Sequence, residues 1–165
     1  KGHFKSLGEL VDVAMKGIMS ILPALLIIAF AYSLNTVTEN LGAAAWLIGV
    51  SKGMMTKGLL VAITFVLAAI ISFSTGTSWG TFALVMPLAL PLAYAFSSGP
   101  SDPLVLETIA AVTGGGIFGD HASPVSDTSV LSSAGAGSDH MDHIITQLPY
   151  ALTVAGATAL LYLFI

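Results

Sequence analysis

The feature that most constrains this chain is a stretch of 108 residues, 58 to 165, that contains no lysine and no arginine. Only 8% of the whole sequence is charged, against about 25% in an ordinary soluble domain. A chain with so few charges cannot cover a water-facing surface, whereas helices of about 20 apolar residues match a hydrocarbon layer about 30 Å thick. The sequence therefore predicts an all-α polytopic membrane protein whose first partner is the lipid bilayer.

Composition also excludes several kinds of function. The sequence has no cysteine, which excludes disulfides, thiolate metal sites and cysteine nucleophiles. Because there is no basic patch, nucleic acid is not an expected partner. The sequence begins with Lys1 rather than methionine and ends at Ile165 within an apolar run, so we interpret it as part of a longer protein.

Two short apolar runs, 58–73 and 82–96, flank a hydroxyl-rich stretch in the middle of the chain. Sixteen residues of helix rise about 24 Å, so each run alone is short for a crossing and both together are far too long for one. This pattern predicts a re-entrant helical hairpin over 58–96 with a polar tip at 74–81, and two short spans are the alternative. Before it, residues 1–57 are expected to form an amphipathic lead-in, a transmembrane helix and a short helix of ambiguous placement.

The second polar passage, GGGIFGDHASPVSDTS, covers residues 114–129 and lies between apolar segments. A helix over 103–113 would rise about 17 Å, roughly half of the hydrocarbon thickness. Three consecutive glycines permit unwinding, and Pro124 prevents a regular helix from continuing. The sequence therefore predicts a broken transmembrane helix over 103–138, unwound at 114–127 near the bilayer midplane, and a final transmembrane helix over 139–165.

Ionisable residues in that passage suggest its chemistry. An ionisable side chain at membrane depth is costly and usually functional, and Asp120, His121 and Asp127 all fall there. Carboxylate, hydroxyl and carbonyl oxygens suit a hard cation such as Na+, and a carboxylate can bind a proton instead. The alternative is that Asp120 and Asp127 only cap helices, with Ser123 as the N-cap before Pro124.

The polar tip and the histidine-rich stretch each allow more than one interpretation. The tip can present hydroxyls to the same cavity as the broken helix, or it can form a helix–helix contact of small residues. Its letters 76–80 also match G-x-S-x-G, which gives an alternative function, an intramembrane serine hydrolase that uses Ser78 and His121. The stretch SDHMDH, 138–143, is expected to be an ion entrance rather than a metal site, about 18 Å from the midplane at the far end of a half-helix.

Both polar stretches resemble the C-terminal half of the NhaC family of Na+/H+ antiporters, secondary transporters of the ion transporter superfamily. The resemblance rests on STGTSWGTFALVMPLALPLA, 74–93, and GGGIFGDHASPVSDTSVLSSAGAGSDHMDHIITQLPYAL, 114–152, and it covers about residues 58–155. It implies one repeat of an inverted-repeat transporter with a re-entrant hairpin and a discontinuous transmembrane helix. The missing N-terminal repeat would belong to the same protein.

The resemblance also implies an activity and a site. It implies a multi-pass protein of the cell inner membrane that exchanges Na+ for H+, is not an enzyme and needs no cofactor. Coupling to an organic anion such as malate or lactate, and assembly into a homodimer, are left open. The family often has cysteine after the Asp-His pair, where this chain has Ala122. On matching positions it implies Na+ at Asp120 and Asp127, within an ion or substrate site lined by Thr75, Thr77, Ser78, Asp120, His121, Ser123, Asp127 and Thr128.

Overall fold

The computed structural model describes residues 6–51, 53–99 and 102–165. The first five residues of the predicted lead-in and Lys52 lie outside the described residues. The described residues form α-helices and no β-strand, which confirms the all-α class. By length and composition, the third, fourth and seventh helices could each cross a membrane. The helices are α1 (Leu7–Asn40), α2 (Ala43–Ser51), α3 (Lys57–Thr75), α4 (Ser78–Phe96), α5 (Pro103–Ala122), α6 (Asp127–Ala136) and α7 (His140–Tyr162).

Helices α3 and α4 form a hairpin whose turn is much shorter than the predicted tip at 74–81. Only Gly76 and Thr77 are non-helical, with Gly76 in the left-handed conformation at φ 68° and Thr77 as the N-cap of α4. The hydroxyls of Ser74 and Thr75 each donate to a carbonyl four residues earlier at 2.8 Å. Because these hydroxyls are satisfied within their own helix, they do not interrupt it.

The outer ends of the hairpin meet at Asp102, the N-cap of α5. Its carboxylate accepts hydrogen bonds from the backbone N–H of Ser98 at 2.6 Å and of Leu104 at 2.9 Å, and Lys57 at the start of α3 lies 3.2 Å away. Both helices have 19 residues, about 28 Å, so their length also suits the alternative of two spans. The re-entrant course stays a prediction.

Helix α5 runs parallel to α3 and continues through the three glycines, so the predicted unwinding over 114–127 is wrong in extent. The non-helical segment is only 123–126. The glycines serve close packing instead. A Cβ at Gly115 would overlap the carbonyl of Phe65 and lie 3.0 Å from Ala68, and a Cβ at Gly119 would lie 2.6 Å from the backbone nitrogen of Phe73. Glycine is therefore needed here because the two backbones touch.

We call this parallel contact the glycine seam, with Gly115, Gly116 and Gly119 on α5. The fully buried Ser72 hydroxyl crosses it and donates to the Gly116 carbonyl at 2.5 Å. Apolar side chains extend the core on both sides of the seam. Toward the Asp102 end and toward α4, the buried core includes Leu60, Val61, Phe65, Ala68, Val85, Ala89, Leu104, Ala111 and Val112.

Helix α7 returns antiparallel to α3 and α5. Near its end, the carbonyl of Leu163 packs on Gly58, where a Cβ would lie only 2.6 Å from that oxygen. Near its start, the ring of His140 lies 2.8 Å from the Pro124 carbonyl. The predicted separation of about 18 Å between SDHMDH and the break is therefore wrong, because α6 folds back on α7 rather than continuing the line of α5.

Candidate functional site

The break between α5 and α6 is built by the four residues 123–126. Helix α5 ends with Ser123 as its C-cap, and the Ser123 N–H donates to the Asp120 carbonyl at 3.2 Å. Pro124 cannot donate to a continuing helix. Helix α6 then begins after Ser126, whose hydroxyl accepts from the Ser129 N–H at 3.4 Å. The N-cap of α6 is thus Ser126. The capping alternative, which makes Ser123 the N-cap, is wrong on this point.

The break packs directly on the turn of the α3–α4 hairpin. A Cβ at Gly76 would lie 2.7 Å from the Val125 carbonyl oxygen and 2.9 Å from the Ser126 nitrogen, so the two backbones are in contact. The Ser123 hydroxyl, fully buried, donates to the Phe73 carbonyl at 2.7 Å. We call residues 76–77 together with 123–126 the polar junction. The structure thus brings together the two polar stretches of the sequence.

A carboxylate and two hydroxyls form a short chain at the junction. Ser126, fully buried, donates to Asp120 Oδ1 at 2.6 Å and lies 2.7 Å from the Thr128 hydroxyl. Because the single Ser126 proton points at the ionised carboxylate, Thr128 must donate to Ser126. Protonation of Asp120 reverses both bonds, so that Asp120 donates to Ser126 and Ser126 to Thr128. The group can therefore hold either charge state with every hydrogen bond satisfied.

The other predicted residues lie around this chain with different surroundings. Asp127 begins α6 and is exposed, and in the described part of the protein its carboxylate accepts no hydrogen bond. The exposed ring of His121 lies at the end of α5, and the His121 carbonyl accepts from Ser129 at 3.0 Å. Thr75, Thr77 and Ser78 lie at the hairpin turn, where Thr77 accepts from the Gly80 N–H at 3.4 Å. Their role in binding stays a prediction.

Ser126 and Gln147 are contacts that the predicted site left out. Ser126 is the closest polar partner of Asp120, and its position just before a helix that starts with aspartate is an N-cap signature readable in the sequence. Gln147 of α7 donates to the His121 carbonyl at 2.9 Å. No local pattern indicates that contact, because it joins residues 26 positions apart on different helices.

The serine hydrolase alternative finds no support in this geometry. The G-x-S-x-G letters form a turn between two helices, whereas the motif acts on a strand–turn–helix elbow. Among the described residues, no hydrogen bond joins the Ser78 hydroxyl to the His121 ring. Within 6–51, 53–99 and 102–165 there is also no group of three acidic or histidine side chains that could hold a metal ion. Asp139 instead caps α7 by accepting from two backbone N–H groups.

Comparison with known proteins gives one family and several bacterial relatives. The family model of the Na+/H+ antiporter family matches residues 1–165. A Haemophilus influenzae protein named only as uncharacterized is 42% identical over 160 residues, which are 97% of this chain and 30% of that protein. No solved structure matches the chain.

Two further relatives carry functional names. An uncharacterized Na(+)/H(+) antiporter of Haemophilus influenzae is 33% identical over 144 residues, 82% of this chain and 28% of that protein. The malate-2H(+)/Na(+)-lactate antiporter of Bacillus subtilis is 29% identical over 154 residues, 93% of this chain and 32% of that protein. The chain thus spans about 30% of the length of these relatives.

Proposed function

The chain belongs to the Na+/H+ antiporter family, and from this membership we propose that it is part of a secondary active transporter that exchanges Na+ for H+ in the cell inner membrane. The exchange site in this proposal is the polar junction together with Asp120, Asp127 and Thr128 beside it. The remaining length found in the relatives would supply the second repeat, and a homodimer stays open. Among the described residues, three helices are long and apolar enough to cross a membrane, which supports the membrane location.

The observation that carries the proposal is the 2.6 Å contact between Ser126 and Asp120 where the two polar stretches meet. A carboxylate at membrane depth is expensive when it is charged and unpaired, so it should hold either a cation or a proton. The reversible hydroxyl chain fits both states. With Asp120 ionised, its oxygens and those of Ser126 and Thr128 offer the hard ligands that Na+ prefers. With Asp120 protonated, the same oxygens bond one another.

Asp127 is the second carboxylate of the proposed site, and its exposure in this chain leaves it open to ions. It lies seven residues after Asp120, at the first position of α6. The N-terminal end of a helix favours a negative charge, so the position of Asp127 suits a carboxylate that attracts cations. We therefore assign the alternating protonation to Asp120 and cation attraction to Asp127.

An organic anion such as malate or lactate is the proposed co-substrate. One relative is named as a malate-2H(+)/Na(+)-lactate antiporter. Helices α4 and α6 both begin at the polar junction, so two positive helix ends meet there beside Thr77 and Ser78. Broken helices that direct such ends at a carboxylate are a recurrent arrangement in transporters.

The test is Na+-driven proton movement in liposomes containing the full-length protein, followed with a pH dye. Asp120→Asn keeps the size and one oxygen but removes the titrating charge, so it should abolish exchange. Glu107→Gln is the matched control, because Glu107 lies on the same helix 13 residues, about 20 Å, before Asp120. Wild-type exchange in both Asp120→Asn and Asp127→Asn would show that the carboxylates only serve the helix ends. Malate and lactate gradients test the co-substrate in the same liposomes.

A further inference from the structure

Two histidines of α7 share one serine hydroxyl of α6, outside the carboxylate site. The Nδ1 atoms of His140 and His143 lie 3.2 Å and 2.7 Å from Ser133 Oγ. Ser133 is only 2% exposed, and both rings are partly buried. The Ser133 hydroxyl also lies 2.9 Å from the Ser129 carbonyl. Two ring nitrogens and one carbonyl oxygen thus lie within hydrogen-bond distance of a hydroxyl that has one proton.

The other nitrogen of each ring has a fixed protonation. His140 Nε2 lies 2.8 Å from the Pro124 carbonyl, which can only accept, so this nitrogen carries a proton. His143 Nε2 lies 2.7 Å from Gln147 Oε1. The Gln147 amide cannot be flipped without placing its oxygen against the His121 carbonyl, which now accepts from its NH₂ group at 2.9 Å. His143 Nε2 therefore carries a proton as well.

The count of protons now determines the state of the cluster. If both rings were neutral, both Nδ1 atoms would be bare acceptors facing a hydroxyl that has one proton to donate. One nitrogen lone pair would then point at an oxygen lone pair in a buried position. We propose that His140 and His143 form a proton-binding site that holds one additional proton, shared through the Ser133 hydroxyl.

Of the two rings, we assign that proton to His143, whose Nδ1 lies closer to the Ser133 hydroxyl. A bond of 2.7 Å is typical of a charged nitrogen donor, whereas 3.2 Å fits the weaker bond from the Ser133 hydroxyl to His140 Nδ1. The arrangement satisfies both rings. The Ser129 carbonyl gives up the proton of the Ser133 hydroxyl and then accepts only from the backbone N–H four residues later in α6. The ligand of this site is thus a proton rather than a metal ion, since two histidine nitrogens do not complete a metal site and no group of three acidic or histidine ligands occurs among the described residues.

The surrounding charges include some that favour and some that disfavour an additional proton on these rings. The start of α7 carries a partial positive charge that disfavours an imidazolium, and the two aspartates in its cap and first turn offset it. Helix α3 contributes no titratable residue nearby, because its single one, Lys57, lies at the opposite end. The titratable groups near the cluster are Asp139 and Asp142 of α7, Asp120 and His121 of α5, and Asp127 of α6.

The proton site is joined to the polar junction by its outer bonds. Protonated His140 Nε2 bonds the Pro124 carbonyl inside the break, and His143 reaches the His121 carbonyl through Gln147. Loss of the shared proton places a repulsive contact at Ser133 and weakens the attachment of α7 to the break. In this respect the inference rests on the proposed function, because the attachment matters for exchange only if the junction carries ions.

The test is nitrogen-15 NMR of the full-length protein in lipid with labelled histidine rings. The signals of His143 are identified by their absence in His143→Gln. At about pH 7.5 an ordinary histidine is mostly neutral, whereas we expect His143 of the wild type to be protonated on both nitrogens. Ser133→Ala should remove most of that imidazolium signal. Ser132→Ala is the matched control, since Ser132 is the exposed neighbour on the same helix.

The outcomes separate the proton site from the proposed transport. A neutral His143 in the wild type, or equal imidazolium signals in Ser133→Ala and Ser132→Ala, would overturn the proton site. In the liposome assay, Ser133→Ala should shift the pH profile of exchange to lower pH, because a weaker site fills only there. An unchanged profile would overturn the link to exchange. If neither the wild type nor any variant moves protons in response to Na+, the proposed function fails. The NMR measurement then still decides whether the histidine proton site exists.

Discussion

Replacing Gly119 by alanine tests whether the glycine seam holds α3 and α5 together. The added Cβ would overlap the Ala69 carbonyl and lie 2.6 Å from the Phe73 nitrogen. These are backbone atoms of α3, which cannot rotate away as a side chain can. Ordinary contact begins at 3.4 Å, so clearing the Ala69 carbonyl requires the helices to part locally by about 1 Å. The two hydrogen bonds that link α3 to α5 near this point, from Ser72 and Ser123, would lengthen with them.

The expected loss of stability follows from three contributions. Overpacking costs about 1–3 kcal/mol, and weakening two interhelical hydrogen bonds costs about 1 kcal/mol each. Alanine recovers about 1 kcal/mol through its higher helix propensity. We therefore expect Gly119→Ala to lower the free energy of unfolding by about 2–4 kcal/mol. The proposed exchange activity should fall as well, because the Ser123 bond to Phe73 positions the break.

The assay is unfolding of the purified full-length protein by SDS in mixed micelles, followed by tryptophan fluorescence. Gly156→Ala is the matched control, since Gly156 lies in α7 with no atom within 4 Å of its added Cβ. That variant should be as stable as the wild type or slightly more so. If Gly119→Ala unfolds at the same SDS fraction as Gly156→Ala, close backbone packing is not the reason for glycine at this position.

Three further predictions concern the hairpin and its ends. Gly76→Ala should destabilise the protein by about 1–3 kcal/mol more than Gly137→Ala in the same unfolding assay, because both have φ near 65° but only Gly76 touches another backbone. Backbone hydrogen bonds from Ser98, and then from Leu104, lower the pKa of Asp102 from 3.8 to about 2. The ionised Asp102 therefore stabilises the folded protein fully above pH 3.8, and this stabilisation is lost as the pH falls toward 2. Asp102→Asn should remove that part of the acid dependence of unfolding. Cysteines introduced at Met54 and Ser98 should react with an impermeant reagent from the same side of the membrane, and labelling from opposite sides would contradict the hairpin.

Composition and hydroxyl patterns were sufficient to predict the helical class and the two polar stretches. The predicted end of the unwound segment, residue 127, falls on the first residue of α6, because Pro124 prevents the preceding helix from continuing. The extent of the breaks was overestimated. Serine and threonine at 74–75 look like loop residues in isolation, yet their hydroxyls bond to their own helix. Such self-satisfied hydroxyls are compatible with a continuous helix, and hydropathy alone does not show this.

The structural roles of the glycines and histidines depend on contacts between helices, which a local sequence pattern does not show. A run of glycine predicts flexibility locally, but Gly115 and Gly119 are fixed by the close approach of α3. The histidines of SDHMDH were expected far from the break because α6 was taken to continue the direction of α5. The return of α6 onto α7 brings His140 against Pro124, 16 residues away. A local sequence pattern does not contain the direction in which a chain turns after a proline.

The parallel arrangement of α3 and α5 has a consequence for the order of events during synthesis. The partner of Ser72 in the glycine seam is Gly116, 44 residues later, and α4 must be synthesised before Gly116 is. At about 5–20 residues per second, a ribosome needs about 2–9 s to add those residues. During that interval the Ser72 hydroxyl has no partner on α5, and a serine in this situation can donate to a carbonyl of its own helix instead. The two helices can close on each other only after α5 has emerged, so a stalled or truncated chain would leave α3 inserted without its partner.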